Sequence, residues 1–314
     1  MEMKSCAHTC RVCNSEAGAP LALTIVMSSF VLSRPACSCA HGEPDCSYRV
    51  AWSINPHMRV GAADPKRACA QHAALVRALE RAGARVLRLP FLHGAFDSVF
   101  MKDSAILIER DGRALALPTT FRHGQRRVET ASRARQLARA GFTVARPLST
   151  AIEGGDVHIV AHRGLALLGH GVRSDLASIK GLAYFLGCDV VPLELRDPAL
   201  FHLDTALTVL SDDTLVYCRE AFTPASARAL EALHWKRMIE VSLADAMTFA
   251  INIIEVRGTI ITGTDTPAAV ELWRSLGRPV LVAPLDQFQL AGGSAACLVA
   301  RVQSVREGVR RAAA

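Results

Sequence analysis

Ala105-Ile106-Leu107-Ile108-Glu109-Arg110-Asp111-Gly112-Arg113-Ala114-Leu115-Ala116-Leu117 is the stretch that decides the fold. Apolar runs flank Asp111-Gly112, and Asp-Gly tolerates the positive φ angles of a tight hairpin turn, so strands are predicted over 105–109 and 113–117. Downstream, helical spacing predicts a helix over 128–140, stopped by Gly141, and a strand over 142–146. The order hairpin, helix, strand then returns over 156–195, 205–241 and 252–284, a period of roughly 50 residues. Hairpins imply antiparallel neighbours and helical crossovers imply parallel ones, so mixed sheets built from ββαβ-type repeats are expected. Such a period indicates a radial or stacked array. No Gly-x-Gly-x-x-Gly follows a strand, which disfavours a dinucleotide site.

Upstream, a strand is expected over 49–54. A helix is expected over 65–82, with Asp64 as N-cap, Pro65 in its first turn and Gly83 at its end. A strand follows over 85–89. The last strand, 298–302, would close the set against the N-terminal one. The folded body is therefore placed at 48–314 as a single catalytic domain, and 1–47 is read as a poorly ordered leader. Six of the ten cysteines lie in that leader: Cys6, Cys10, Cys13, Cys37, Cys39 and Cys46. The spacing of the first three superficially fits an iron–sulfur pattern, and Cys37 with Cys39 could form a zinc knuckle. Neither reading is preferred. The apolar run 21–32 is too short to span a bilayer and has poor signal-peptide flanks.

The chain of 314 residues is half hydrophobic with a formal charge of +7, enough apolar content for a large core. Its basic residues are scattered, apart from His123 to Arg127, and aromatic residues are few, so nucleic acid binding is not expected. The expected protein is cytoplasmic, without a membrane span, with a homodimer admitted as an assembly.

Five stretches at strand ends or in loops could carry chemistry. They are 96–103, ending in Lys102-Asp103; Arg122 to Arg127; Glu153-Gly154-Gly155-Asp156; His202-Leu203-Asp204; and Gly292-Gly293-Ser294-Ala295-Ala296-Cys297. Singly, each has a plain reading as a turn, a strand-end charge, a structural histidine or a buried thiol. In this order and spacing the set resembles the guanidino-group-modifying superfamily of dimethylarginine dimethylaminohydrolases, arginine deiminases and arginine amidinotransferases. Ile54-Asn55-Pro56 resembles an N-terminal motif of its bacterial members. The resemblance covers about 48–302 and implies a five-bladed α/β propeller, the pentein fold.

The chemistry accounts for these residue types. A guanidinium carbon resists water, and a thiolate is a better nucleophile. Carboxylates grip the guanidinium through charge-assisted hydrogen bonds, and a histidine protonates the leaving amine and then activates water. The resemblance implies Cys297 as nucleophile, His202 as general acid and base, and Glu153 as partner to His202 or to a substrate nitrogen. It implies Asp103 and Asp204 on the guanidinium and Asp97 at the amino-acid end. Arg126, or equally Arg127, and Arg173 would meet the substrate carboxylate. No cofactor or metal is implied; Asp103, His202 and Asp204 could ligate one, but the family precedent assigns them to a small guanidino substrate. Lys102 stands where dimethylarginine hydrolases carry an acid, and His202-Leu203-Asp204 is closer to the deiminases and amidinotransferases. The leading expectation is hydrolysis of arginine or a methylated arginine to citrulline plus amine or ammonia. Amidino transfer to an acceptor amine is the runner-up, and a silent binding protein on the same fold is the third.

Overall fold

The computed structural model describes residues 29–38 and 46–305. The expectations for Cys6, Cys10, Cys13 and Cys39 fall outside them. Ser29–Ser33 forms β1, Pro65–Arg81 forms α1, and Arg85–Leu89 forms β2. Asp64 accepts from the amides of Lys66 and Arg67, Pro65 occupies the first turn, and Ala68, His72, Leu75, Val76 and Leu79 are buried along one face. That is how the helix reads in the sequence.

Next come β3 (Ala105–Arg110) and β4 (Arg113–Pro118), α2 (Arg127–Arg139) and β5 (Thr143–Val144). The hairpin turn has φ 52° at Asp111 and 74° at Gly112, the left-handed pair the sequence anticipates. The pattern repeats in β6 (Val157–Val160), β7 (Leu165–His170), α3 (Ile179–Leu186) and β8 (Asp189–Glu194). It repeats in β9 (Leu207–Val209), β10 (Thr214–Tyr217), α4 (Pro224–Glu231) and β11 (Arg237–Glu240). It repeats once more in β12 (Ile253–Val256), β13 (Thr259–Thr262), α5 (Pro267–Ser275) and β14 (Val280–Val282), before β15 (Val299–Ser304).

Each unit holds an antiparallel pair whose second strand takes a parallel third: β3-β4-β5, β6-β7-β8, β9-β10-β11 and β12-β13-β14. The chain ends build one more such unit, because β15 runs antiparallel to β1 and β1 parallel to β2. Strand β15 also pairs in parallel with β3, Val302 opposite Leu107, so two units merge into one six-stranded sheet beside three sheets of three. The first strands of all the units, β3, β6, β9, β12 and β15, line one cavity. Apolar cores lie between neighbouring units, one of them around Phe91, Phe288 and Leu298 and another around Phe222 and Trp273.

Three expectations need correction. The folded body does not begin at 48: Ser29–Ser33 is wholly buried and hydrogen-bonded on both sides. The end of the apolar run read as a leader, from Ser29 on, is an inner-sheet strand, apolar on both faces because both are covered. Residues 49–54 form no strand; they cross toward the loop before Cys297, where Asn55 Nδ2 donates to the Ala291 carbonyl at 3.0 Å. The strand expected over 205–210 starts late, because 203–206 make a helical turn. Among the described residues, no helix is long and apolar enough to cross a membrane.

Phe30 is 1% exposed on β1. Phe30→Ala is expected to cost about 3–5 kcal/mol by urea denaturation, whereas the exposed Tyr184→Ala changes stability by less than about 0.5 kcal/mol. Equal, small effects would show that β1 is not part of the core.

Candidate active site

Short helical turns stand just before four of these cavity-lining strands, and each carries or follows a functional group. Asp103 lies in the turn Met101–Ser104 before β3, and Glu153 precedes the turn Gly154–Asp156 before β6. His202 precedes, and Asp204 lies in, the turn Leu203–Ala206 before β9, and Cys297 lies in Ala296–Leu298 before β15. The repeat therefore delivers distant residues to one place. Asp97, Asp103, Arg126, Arg173, His202 and Cys297 line one small pocket, whose cavity volume of about 20 Å³ is near that of a single water, so an amino-acid-sized ligand enters only as the walls move apart.

The small residues of the motifs make this convergence sterically feasible. A Cβ on Gly155 would lie 2.6 Å from His202 Nδ1 and 2.7 Å from Asp103 Oδ1. A Cβ on Gly293 would lie 2.5 Å from the Phe100 ring, and Gly292 has φ +88°. Glycine is needed at these points because side chains close in from other units.

His202 is 1% exposed, with Nε2 2.9 Å from Glu153 Oε2 and Nδ1 3.4 Å from Asp103 Oδ1. Burial disfavours its charge, but Asp103, Glu153 and Asp156 outweigh that and push its pKa up to about 9. Burial also works against the Glu153 charge; the His202 hydrogen bond and the Arg173 guanidinium overcome it and pull this carboxyl well below its usual range. At neutral pH the pair is thus an imidazolium and a carboxylate.

Cys297 Sγ lies 3.5 Å from Asp204 Oδ2 and accepts from Asn252 Nδ2 at 3.2 Å. Burial, then the Asp204 and Asp103 charges, hold its thiol well above the ordinary cysteine range. Asp204 Oδ1, Asp103 Oδ1 and Asp97 Oδ1 are buried without a hydrogen-bond partner. Their sister oxygens have company: Lys102 Nζ at 3.9 Å from Asp204 Oδ2, Arg126 Nη1 at 2.6 Å from Asp103 Oδ2, and Trp52 Nε1 at 2.7 Å from Asp97 Oδ2. The pocket therefore presents acceptors around a thiol.

All eight residues expected at the site converge there, Glu153 and Asp204 standing directly behind the lining. Arg126 lines the pocket as expected and is also heavily engaged by the protein. It donates to Glu129 twice, to Asp103 and to the Asp97 carbonyl, leaving one of its five N–H donors. Its position is that of a brace for Asp103, because three protein acceptors surround it in the interior. Arg127 donates to the Phe121 and Arg122 carbonyls instead and does not line the pocket. Arg173 gives one bond each to Glu153 and the Ile54 carbonyl and keeps more donors for a ligand. Donor atoms of Asp103, Glu153 and His202 lie within 4.8 Å of one another, a set that could surround a cation, but the imidazolium already fills that charge.

Two residues support the site: Asn252, which sequence reading missed, and Asp156, which lies in the Glu153-Gly154-Gly155-Asp156 motif without an assigned role. Asn252, just before β12, donates to the Asp204 carbonyl and Cys297 Sγ and accepts from the Ala296 amide, so it ties the thiol to its carboxylate neighbour. The repeat was the available signal, since Asn252 occupies the position of the functional residues in the other units. Asp156 accepts from Ser174 Oγ at 2.6 Å and from the Leu203 amide at 3.1 Å, anchoring the His202 turn.

A buried thiol, an imidazolium–carboxylate pair and further buried carboxylates gathered at one small pocket define a site for a guanidino-group-modifying enzyme of the pentein superfamily. The family profile described as N,N dimethylarginine dimethylhydrolase, eukaryotic, matches residues 61–304, and the chain belongs to this family. It is 32% identical over 258 residues to the N(G),N(G)-dimethylarginine dimethylaminohydrolase of Mycobacterium tuberculosis, covering 81% of this chain and 82% of that one. It is 31% identical over 272 residues to the bifunctional arginine dihydrolase/ornithine cyclodeaminase AgrE of Nostoc sp., covering 85% of this chain and 38% of AgrE. Among solved structures, the substrate-bound N-terminal domain of ArgZ, a cyanobacterial arginine dihydrolase, superposes with a TM-score of 0.79 at 28% identity, covering 89% of this chain and 99% of that one.

His202 gains charge on folding, so its imidazolium is present through neutral pH and is lost as pH rises through about 9. The His202 Cε1–H resonance, assigned by its loss in His202→Asn, is expected to titrate there. Glu153→Gln should move that midpoint downward. A wild-type midpoint at or below the ordinary histidine value would contradict the ion-pair geometry. Asn252→Ala is expected to lower kcat roughly tenfold to a hundredfold with little change in KM, since Asn252 holds the Cys297 thiol; a pure KM effect would reassign it to substrate binding.

Proposed function

We propose that the protein hydrolyses a carbon–nitrogen bond at the guanidine carbon of an arginine-type substrate through a covalent Cys297 adduct. The observation that carries this reading is the pair of buried carboxylates beside the Cys297 sulfur, with Asp204 Oδ1 lacking a hydrogen-bond donor and Asp103 Oδ1 met only by His202 Nδ1 at 3.4 Å. Such oxygens are costly in isolation, and a planar cation with N–H donors on two edges satisfies both. The same cation supplies the positive charge that the thiol needs to ionise in a site whose carboxylates otherwise oppose it.

The steps follow from the geometry. The Cys297 thiolate attacks the guanidine carbon, forming a carbon–sulfur bond and a tetrahedral centre. The centre collapses as the carbon–nitrogen bond breaks, and His202, charged and held by Glu153, gives its proton to the departing nitrogen. An S-alkylthiouronium remains on Cys297. Neutral His202 then takes one proton from water, whose oxygen adds to the same carbon; as the carbonyl forms, the carbon–sulfur bond breaks and the sulfur takes up the hydroxyl proton, which restores the Cys297 thiol. The products are ammonia or an amine, and citrulline. Arg173 meets the substrate carboxylate, and Asp97 Oδ1 faces its ammonium.

Asp103 and Asp204 beside the thiol favour arginine over an asymmetrically dimethylated guanidine. A dimethylated nitrogen has no N–H, so it would leave one buried acceptor unsatisfied, a defect to which a hydrogen-bonding site is strongly sensitive. The relatives include both arginine dihydrolases and dimethylarginine dimethylaminohydrolases, so the preference for arginine rests on the hydrogen-bonding argument alone.

Product analysis by mass spectrometry with arginine, monomethylated and dimethylated arginine tests the reading. Citrulline and ammonia from arginine are expected, with dimethylated arginine turned over at least about a hundredfold more slowly. Cys297→Ser should abolish turnover and retain the fold. Dimethylamine as the dominant product would overturn the substrate preference, ornithine would add a second hydrolytic step, and an amidino-glycine product with glycine present would establish transfer.

A further inference from the structure

A second cluster of metal-binding side chains lies outside the pocket. We propose that Cys37, Cys46 and His93 form a binding site for a soft divalent cation of the zinc class, which clamps the segment leaving β1 to the loop leading into Asp97.

The backbone arranges the two sulfurs. Ala36 and Ser47 form an antiparallel bridge, and the Cys37 amide donates to the Cys46 carbonyl at 2.6 Å, so the two cysteines face each other across neighbouring strands. This ladder is held to β2 through the Arg34 amide and the Leu89 carbonyl, at 2.9 Å. The loop that follows Leu89 brings in His93. The three donor atoms lie within 4.8 Å of one another.

Their spacing suits a metal. Bond lengths of about 2.3 Å to sulfur and 2.0 Å to nitrogen, at a tetrahedral angle, place the two atoms roughly 3.5 Å apart. Cys46 Sγ and His93 Nδ1 are 3.4 Å apart. Two thiolates and an imidazole select a borderline-soft ion over magnesium or calcium. Cys46 is buried while His93 is exposed, so an ion has a path in from solvent and water can take the fourth vertex. The donors of the active site are chemically different, two carboxylates and a histidine already in an ion pair.

The site has a structural consequence. His93 precedes Asp97 by one short turn, and Asp97 lines the substrate pocket. A bound cation would join three chain segments around Asp97 and stiffen that wall.

Zinc titration against a chromophoric chelator, with metal content measured after gel filtration, tests the proposal. The Cys297→Ser protein is used so that the nucleophile cannot capture the ion. One equivalent per chain is expected, with a rise in Tm on zinc addition. Adding His93→Ala or Cys46→Ser should weaken binding at least about tenfold and remove that rise. Cobalt in place of zinc should show sulfur-to-metal charge transfer, diminished by Cys46→Ser. His93 is exposed, so His93→Ala separates loss of a ligand from loss of folding. Absence of retained zinc, binding indifferent to His93→Ala, or a Cys37–Cys46 disulfide as the isolated state would each overturn it.

Discussion

Asp103 and Asp204 each bury a carboxylate oxygen with no close hydrogen-bond donor, Asp103 Oδ1 lying 3.4 Å from His202 Nδ1, next to a thiol that their charge discourages from ionising. Much of the surrounding structure follows from maintaining that arrangement. An unpaired buried carboxylate tends to take up a proton or to draw in water. Here one oxygen of each is pinned by a cation, Arg126 for Asp103 and Lys102 for Asp204, which keeps the acid in place while its other oxygen stays available. Arg126 in turn needs Glu129, which is itself fully buried and also accepts from Ser104 Oγ. Each neutralising charge thus recruits another buried partner, and the site extends well below the pocket floor.

Convergence is the work of the repeat. The functional groups stand at the entry to the cavity-lining strands, so close packing of those strands is what brings Asp103, Glu153, His202, Asn252 and Cys297 together. A strand end supported by a sheet positions a side chain better than a free loop does. The glycines at 154 and 155 belong to the same logic. They carry no chemistry, yet a side chain at 155 would push His202 from Asp103.

The sequence was legible where one local pattern had one physical reading. The Asp64-Pro65 helix start and the Asp111-Gly112 turn were of this kind, and so were the dense motifs that hold Glu153, His202 and Cys297. It was illegible where the meaning of a residue depends on a distant partner. Ser29–Ser33 is apolar on both faces, and only the presence of β2 and β15 distinguishes a buried strand from a leader. The engagement of Arg126 by the protein was hidden because Glu129 and Asp103 meet it through folding. Cys37, Cys46 and His93 carry no recognisable spacing, for the histidine arrives on another loop.

The raised thiol pKa is no obstacle to the proposed cysteine chemistry, because the carboxylates that raise it also favour a cationic ligand. A cysteine ionised in the resting site would need a permanent cation beside it, and that cation would repel a guanidinium. Here the nearest charges to Cys297 are carboxylates, and the imidazolium of His202 is shared with Glu153 and Asp103. The thiolate is therefore stabilised only when a positively charged ligand enters between them. In the proposed reaction, binding and activation of the nucleophile become one event, and a neutral urea-like product no longer supports the thiolate once the guanidinium is gone. The same carboxylates that suppress the free thiol thus give the pocket both its preference for a cation and a means of releasing what the reaction makes.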